Sequence, residues 1–254
     1  DEVSQLVKMS SELDLIIPRG SNELVRNIQK NAQVPVLGHA DGLCHVYLDQ
    51  AADEKKSIEV ALDAKLDYPA VCNAAETLLV HQKYPVEWLV EILRKMQEAG
   101  VELRVCQQTQ KRLEKFTELK LKTAVEEDWT TEYMDLIISV KSVNSTEEAV
   151  RHINHFGSRH TDTIVTENSE LAEWFMNTVD AAGVFWNAST RFADGFRYGF
   201  GAEVGVSTGK THSRGPVGLE GLVIYKYKLY GNGQGAGQYG QGKRKFLHEE
   251  IQYN

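Results

Sequence analysis

The sequence contains little cysteine. Its 254 residues include three cysteines, Cys44, Cys72 and Cys106, which are widely separated and form no CxxC pair. An odd, scattered set disfavours a disulfide framework and the zinc ribbons built from paired cysteines. We therefore expect free thiols, a reducing compartment and a cytoplasmic location.

The sequence also has no excess of basic over acidic residues. Lys and Arg number 28 against 36 Asp and Glu, and the basic residues are scattered along the chain. Nucleic-acid binding favours a clustered positive face, so a nucleic-acid partner is not expected. The sequence also lacks an apolar run of membrane-spanning length and a basic-then-apolar leader, which predicts a soluble protein without a membrane partner.

No combination of His, Cys and Asp has the short spacing typical of a zinc site. His152 and His155 are three residues apart on a predicted helix, and we interpret them as a solvated helix face. The sequence therefore predicts no metal site.

The pattern of apolar residues indicates alternating strands and helices. Strand, helix and strand in succession favour a parallel α/β sheet, and the chain begins within such an arrangement without a glycine-rich phosphate-binding turn. Strands are predicted at 13–17, 34–37, 43–48, 134–140, 161–166, 183–187 and 222–230. Helices are predicted at 22–31, 53–65, 86–99, from Ser145 onward and at 168–179. The glycine-rich stretch 195–221 is predicted to be an ordered loop, and the stretch after Tyr230 a mobile tail.

Cys72 is the most informative single residue. It follows the turn Asp67-Tyr68-Pro69 and precedes a run that has helical spacing first and then a strand-like apolar end. This predicts a thiol at or just before a helix N-terminus, where backbone amides stabilise a thiolate, the nucleophilic form. The alternative is a small buried apolar residue.

Four segments resemble one family: PVLGHADGLCHVYLD (35–49), DYPAVCNAAETLLVH (67–81), VFWNASTRFADGFRYGFGAEVGVST (184–208) and RGPVGLEGL (214–222). They are similar to γ-glutamyl phosphate reductase, also called glutamate-5-semialdehyde dehydrogenase, of the aldehyde dehydrogenase superfamily. The similarity runs from about residue 1 to 230. The C-terminal strings look most like fungal forms, and the missing front implies the C-terminal part of such an enzyme.

The resemblance implies an aldehyde dehydrogenase-like α/β fold with a parallel-sheet catalytic domain. Residues 1–40 would be the C-terminal part of a Rossmann-like NADPH-binding domain, and 41–200 the catalytic domain. Residues 201–221 would return to the nucleotide domain, and 222–254 would form an oligomerisation strand and a flexible tail.

The resemblance also implies the chemistry, the second step of proline biosynthesis from glutamate. Cys72, with Asn73 beside it in the catalytic group, would attack L-glutamyl 5-phosphate, and NADPH would reduce the resulting thioester to L-glutamate 5-semialdehyde. The Cys72 backbone amide is a candidate oxyanion donor.

Gly38, His39 and Glu132 are the implied cofactor residues, with Glu132 matching the superfamily glutamate that holds the nicotinamide ribose. The stretch Val36–His39 carries no carboxylate where ordinary aldehyde dehydrogenases place the glutamate that activates the deacylating water. This fits a reductive cycle, and His39→Glu should increase unproductive thioester hydrolysis. The alternative is that 38–42 is merely a turn.

The implied substrate residues are Asn187, Ser189, Thr190 and Arg191, with His160 a weaker candidate for the phosphate side. Arg191 could hold a carboxylate or phosphate through its fork of donors. On this interpretation Arg191→Lys raises the substrate KM and leaves the fold intact. The alternative is a structural Arg191–Asp194 pair.

The resemblance implies a homo-oligomer and leaves a contact with glutamate 5-kinase open. Two other interpretations remain: the reductase domain of a bifunctional pyrroline-5-carboxylate synthase, and an inactive assembly fragment without the nucleotide-binding half. Little turnover is expected from the isolated chain, together with iodoacetamide reactivity at Cys72.

Overall fold

The computed structural model describes residues 2–240 and 244–249. The chain divides into two compact units, Asp1–Leu222 and Val223–Asn254, which we describe separately.

The first unit is built of alternating strands and helices. Its strands are β1 Cys44–Leu48, β2 Ala75–His81, β3 Glu102–Val105, β4 Leu121–Thr123, β5 Ile137–Val143, β6 Thr161–Val165, β7 Gly183–Trp186, β8 Gly205–Ser207 and β9 Gly215–Val217. Its α-helices are α1 Glu2–Leu6, α2 Asn22–Asn31, α3 Glu54–Leu66, α4 Val86–Glu98, α5 Gln107–Arg112, α6 Thr146–Phe156 and α7 Ser169–Thr178. Short 3₁₀ turns cover Glu126–Thr130, Thr190–Phe192 and Leu219–Leu222.

Seven strands form one parallel sheet in the order β4-β3-β5-β2-β1-β6-β7. The interior strand β1 pairs with β2 on one side and with β6 on the other. Parallel strands need crossover connections, and the helices between them supply these. The predicted parallel α/β fold is confirmed.

Alternation along β1 divides the core between the two faces of the sheet. Val46 and Leu48 join the apolar cluster that includes residues of α3 and α4, whereas Tyr47 joins the cluster that includes residues of α6 and α7. Because side chains alternate across a strand, β1 contributes to both clusters, and all five of its residues are buried.

Side-chain caps fix where several helices begin. Asp53 accepts a hydrogen bond from the Lys56 N–H at the start of α3, and Ser145 accepts one from the Glu148 N–H at the start of α6. Each cap satisfies an amide that would otherwise have no partner in the first helical turn. The predicted Ser145 cap is confirmed.

The first forty residues contain less strand than the sequence predicts. Helix α2 agrees with the predicted 22–31, but the predicted strands 13–17 and 34–37 reduce to one parallel bridge between Ile16 and Val36. The segments are short and meet no further strand of the described chain. The predicted strand–helix–strand unit is therefore reduced to α2 and one bridged residue on each side of it.

Other predictions also needed correction. The strand predicted at 134–140 begins at Ile137 and ends at Val143, and β3, β4 and α5 were not predicted. The glycine-rich loop contains the antiparallel pair β8–β9. His152 is buried, 5% exposed, so the predicted solvated face holds only for His155.

The second unit contains one short helix, α8 Gly237–Gly240, among its described residues. The strand predicted at 222–230 is wrong for this single chain: residues 223–230 have no strand pairing, and their large side chains are exposed. Pairing with another subunit stays a prediction. The predicted mobile tail falls partly on residues 241–243 and 250–254, which lie outside the described residues.

Within the described residues, no helix combines the length and the apolar character needed to cross a membrane.

Candidate active site

Cys72 lies in the turn that connects α3 to β2, and it is followed by a strand. The Ala74 N–H donates to the Val71 carbonyl (3.0 Å), and β2 begins at Ala75. The predicted helix start at Cys72 is therefore wrong, and no helix macrodipole acts on the thiol there. The apolar end of the run, paired in register with β1 and β5, outweighs its local helical spacing.

Burial raises the pKa of the Cys72 thiol to about 11, and the nearby Glu132 carboxylate adds to the rise. The Cys72 backbone N–H lowers the pKa and offsets part of it. The resting thiol is thus protonated at neutral pH, and its activation needs a proton acceptor.

Gly42 allows the backbone ahead of β1 to lie against the Cys72 turn. A Cβ at Gly42 would be 2.3 Å from the Cys72 Cα, closer than real contacts allow. Only glycine fits this approach, which places Cys72 at the amino edge of β1 and β2.

Beside Cys72 is a cavity of about 360 Å³, which we call the Cys72 cavity. Segments far apart in sequence form its walls because the amino ends of parallel strands meet at one edge of the sheet. Its lining includes Arg19, Gly38, His39, Cys72, Glu132 and Val206.

The carboxylate of Glu132 is held in the wall of this cavity by two donors. Its Oε1 accepts from the Gly42 N–H (2.9 Å) and its Oε2 from Asn22 Nδ2 (2.8 Å). A carboxylate has about four acceptor sites, so a fixed Glu132 retains acceptor capacity toward the cavity. The sequence prediction thus placed Glu132 in the same cavity as Cys72, although it missed Asn22 as its support.

His39 is oriented by the backbone of β8. Its Nδ1 is 2.7 Å from the Val206 carbonyl oxygen, which can only accept, so Nδ1 carries the proton. In the neutral ring, Nε2 is then the acceptor. The predicted cofactor residues Gly38, His39 and Glu132 therefore lie together with Cys72.

His160 is fully buried at the start of β6, beside His39. The two ring centroids are 4.9 Å apart in an edge-on arrangement. His160 Nδ1 contacts Thr161 Oγ1 (3.0 Å) and lies 3.8 Å from Cys44 Sγ. Burial lowers the pKa of His160 to about 3, so its ring is neutral at pH 7.

One nitrogen of each imidazole and Cys72 Sγ all lie within 4.8 Å of one another. His39, Cys72 and His160 could therefore hold a metal ion. Sequence spacing gives no sign of this group because its members are 33 and 88 residues apart, as the numbers 39, 72 and 160 show.

Arg191 contacts the other side of the Cys72 turn. Its Nε donates to Asp67 Oδ2 (3.0 Å) and its NH1 to Asn73 Oδ1. Thr190 Oγ1 donates to the Asn73 carbonyl (2.7 Å), and Arg197 NH2 also donates to Asp67. We call these five residues the anchoring network. The alternative pair with Asp194 is wrong because the partner carboxylate is Asp67.

The other two predicted substrate residues lie elsewhere. Ser189 Oγ accepts from the Arg191 N–H, and Asn187 bonds to the backbone of Thr166 at the carboxyl end of β6. Both line a second, open cavity with Asp67 and Arg197. The Cys72 cavity is thus separate from Asn187, Ser189 and Arg191, and their contact with substrate stays a prediction.

Arg19 is a lining residue of the Cys72 cavity that the sequence interpretation missed. It lies in the run Pro18-Arg19-Gly20, which comes just before α2. A charged residue within a proline–glycine turn just before a helix is the signal that could have identified it.

No family model matches the chain. γ-Glutamyl phosphate reductase 1 of Synechocystis is 55% identical over 252 residues, which cover 99% of this chain and 57% of that protein. Over nearly its whole length the chain is thus similar to proteins named γ-glutamyl phosphate reductase. It spans a little over half the length of the Synechocystis relative.

Solved structures show a similarity to the same proteins. A γ-glutamyl phosphate reductase from Thermotoga maritima superposes with a TM-score of 0.87 at 43% identity, covering 92% of this chain and 55% of that chain. An acetylating aldehyde dehydrogenase from Geobacillus thermoglucosidasius gives a TM-score of 0.63 at 18% identity, covering 91% and 60%, which shows a shared fold. The predicted aldehyde dehydrogenase-like fold is confirmed, whereas the predicted closeness to fungal forms is not shown.

Proposed function

We propose that this chain carries the acyl-accepting site of an NADPH-dependent reductase. The reaction would convert L-glutamyl 5-phosphate to L-glutamate 5-semialdehyde and phosphate, the second step of proline biosynthesis from glutamate. One observation carries the proposal: a half-buried thiol faces a cavity with a fixed carboxylate and an oriented imidazole, in a chain 55% identical to a protein named for this activity.

Cys72 is the nucleophile in this proposal, and His39 takes up its proton. His39 Nε2 is the free acceptor of that ring because Nδ1 donates to Val206. His160 is a poor base at neutral pH because burial lowers its pKa to about 3. The buried thiolate, once formed, is a stronger nucleophile than one of low pKa.

The bonds balance as follows. The S–C bond forms at the acyl carbon, the C–O bond to phosphate breaks, and phosphate leaves with the electron pair. When bound, NADPH supplies the hydride that reduces the thioester. The C–S bond then breaks, the aldehyde is released and Cys72 regains its thiolate.

The residues present fit a nicotinamide cofactor at Glu132. Its carboxylate is fixed by Gly42 and Asn22 and keeps acceptor capacity toward the cavity, as ribose hydroxyls require. Gly38 has a φ of 152°, which favours glycine and keeps that wall free of a side chain. NADPH rather than NADH is part of the proposal.

The cavity also favours reduction over hydrolysis. The position next to Gly38 is His39, which carries no carboxylate, and the proposal assigns the Glu132 carboxylate to the cofactor ribose. Activation of a deacylating water needs a free carboxylate within hydrogen-bond reach of that water. The acyl-enzyme would therefore persist until hydride transfer.

The proposal extends to a cytoplasmic homo-oligomer, with contact to glutamate 5-kinase left open. Three free cysteines support a reducing compartment. The exposed Tyr225, Tyr227 and Tyr230 support a subunit contact in the second unit.

The test is to supply this chain with L-glutamyl 5-phosphate, made in the same tube by glutamate 5-kinase from glutamate and ATP. We expect a glutamyl thioester on the Cys72 peptide by mass spectrometry, and a loss of at least ~10³-fold in its rate of formation in Cys72→Ser. The matched control is Cys106→Ser, where the serine can still cap α5 as Cys106 does.

A folded chain that forms no thioester, or forms it equally in Cys72→Ser, would overturn the proposal. NADPH oxidation is a second measurement, made on a full-length protein that includes this chain. The chain alone spans 57% of its Synechocystis relative, and we expect little turnover from it.

A further inference from the structure

Three potential metal ligands converge at the inner end of the Cys72 cavity. Cys72 Sγ and one ring nitrogen each from His39 and His160 lie within 4.8 Å of one another. His39 and Cys72 are partly exposed to the cavity, so an ion can reach them, whereas His160 is fully buried behind them.

The lone pairs of both imidazoles are available. His39 Nδ1 is occupied by the Val206 carbonyl, which leaves Nε2. His160 Nδ1 contacts Thr161 Oγ1, and its buried Nε2 has no hydrogen-bond partner among residues 2–240 and 244–249. A buried nitrogen without a partner is unfavourable, so a ligand that used it would remove a penalty.

We propose that Cys72, His39 and His160 form a binding site for Zn²⁺ with Sγ, Nε2 and Nε2 as ligands. Thiolate and imidazole suit Zn²⁺, whereas Mg²⁺ and Ca²⁺ require oxygen ligands. Three protein ligands leave the fourth tetrahedral position to water. The Glu132 carboxylate stays outside this set because Gly42 and Asn22 hold it.

The site requires only a small contraction. Zn–S and Zn–N bonds of about 2.3 and 2.1 Å place tetrahedral ligand atoms roughly 3.5 Å apart. The ligand atoms, which lie within 4.8 Å of one another, would approach by up to about 1.3 Å. The hydrogen bonds from His39 to the Val206 carbonyl and of His160 with Thr161 are the second-shell contacts that orient metal-binding imidazoles.

Zn²⁺ bound in this way inhibits the chain reversibly. The S–Zn bond forms, the thiol proton passes to the buffer, and the sulfur electron pair is no longer free to attack an acyl carbon. Inhibition rests on the proposed function, whereas Zn²⁺ binding and protection of the thiol do not.

The binding test is a titration of the chain with Zn²⁺ against a chromophoric chelator. We expect one Zn²⁺ per chain, and a loss of affinity of at least about 100-fold in Cys72→Ser and in His160→Ala. The matched controls are Cys106→Ser and His155→Ala, a cysteine and an exposed histidine outside the cluster, and both should bind as the unmodified chain does.

A second measurement needs no variant, because His160 is buried and its replacement could unfold the chain. Saturating Zn²⁺ should slow alkylation of Cys72 by iodoacetamide at least tenfold relative to Cys106, and EDTA should restore the rate, whereas Mg²⁺ should have no effect. Equal Zn²⁺ affinity in Cys72→Ser, or an unchanged alkylation rate at saturating Zn²⁺, overturns the proposal. Zn²⁺ protection in a chain that fails to form the thioester would refute the proposed function alone.

Discussion

The two sides of the Cys72 turn differ in how their polar atoms are paired. On one side, the anchoring network pairs the Arg191 guanidinium with Asp67 and Asn73, and Arg191 is 8% exposed. On the other side, the Cys72 thiol and the available Nε2 of His39 line the Cys72 cavity, and the buried Nε2 of His160 behind them has no hydrogen-bond partner in the described part of the chain.

The paired side therefore positions the Cys72 turn, whereas the cavity side is available for chemistry. A paired, buried network fixes geometry, whereas open lone pairs beside a cavity are available for proton transfer or ligand binding. The ends of the turn are also fixed by a buried pair: Lys65 in α3 donates to Glu76 in β2 (2.7 Å). The predictions below test whether the anchoring network affects stability alone and the Cys72 cavity affects chemistry alone.

The largest effect is expected from Lys65→Met. The two side chains are 0% and 2% exposed, so the variant leaves the Glu76 carboxylate buried without its cation. We expect the free energy of unfolding to fall by about 3–5 kcal/mol, measured by urea denaturation. The double variant Lys65→Met/Glu76→Leu should recover most of this loss.

The exposed pair Lys56–Glu167 provides the control, and Lys56→Met should leave stability nearly unchanged. A Lys65→Met variant as stable as the unmodified chain would show that this pair does not hold the turn.

The next largest effect on stability is expected from Arg191→Ala. The free energy of unfolding should fall by about 2–3 kcal/mol because Asn73 Oδ1 loses its buried donor. Arg197→Ala is the matched control; Arg197 also contacts Asp67 but is 40% exposed, and its loss should cost under about 1 kcal/mol.

Arg191→Lys distinguishes anchoring from substrate contact. Lysine keeps the charge but cannot reach Asp67 and Asn73 at once, so we expect reduced stability. Full stability with a raised KM in the intact enzyme would instead support the direct contact that the sequence resemblance implies.

His39→Glu tests the cavity side of the Cys72 turn. A carboxylate at this position of the cavity wall can activate water, and we expect hydrolysis of the Cys72 thioester to rise about tenfold or more. Hydrolysis is measured as loss of the acylated Cys72 peptide over time. His39→Gln removes the imidazole without adding a base and should not accelerate it; equal acceleration in both variants would reject the base argument.

The smallest effect is a pH dependence at Glu76. Burial raises the pKa of Glu76 to about 7 in the folded chain, above its ordinary value of 4.5. Between these values the folded state holds more protons than the unfolded state, so this group's contribution to stability falls as pH rises. Glu76→Gln should therefore gain roughly 2 kcal/mol relative to the unmodified chain between pH 5 and 8. A constant difference over this range would contradict the raised pKa.

The sequence predicted the parallel α/β sheet and most of its helices because the periodicity of apolar residues is strong there. Helix α2 agrees at both ends, and Ser145 caps α6 as expected. The helix predicted after Cys72 is wrong because pairing of β2 with β1 and β5 outweighs local spacing.

The site was predicted in part. Cys72, Gly38, His39 and Glu132 do line one cavity, and the resemblance supplied all four. Sequence patterns could not show that Arg191 donates to Asn73, because 118 positions separate them. They also could not show that His160 meets His39 and Cys72, since that contact depends on the packing of β6 beside β1.

The pairing of β1 with β6 joins parts of the chain that are far apart in sequence. His45 is aligned with Asp162, 117 positions along the chain, and bonds to it. Such distant parallel pairing must offset the entropy of closing a long loop. His160, two residues before Asp162, meets Cys72 only once β6 has paired with β1. His160 must have been synthesised before the thiol acquires this neighbour, so the alkylation rate of Cys72 reports whether β6 has joined the sheet.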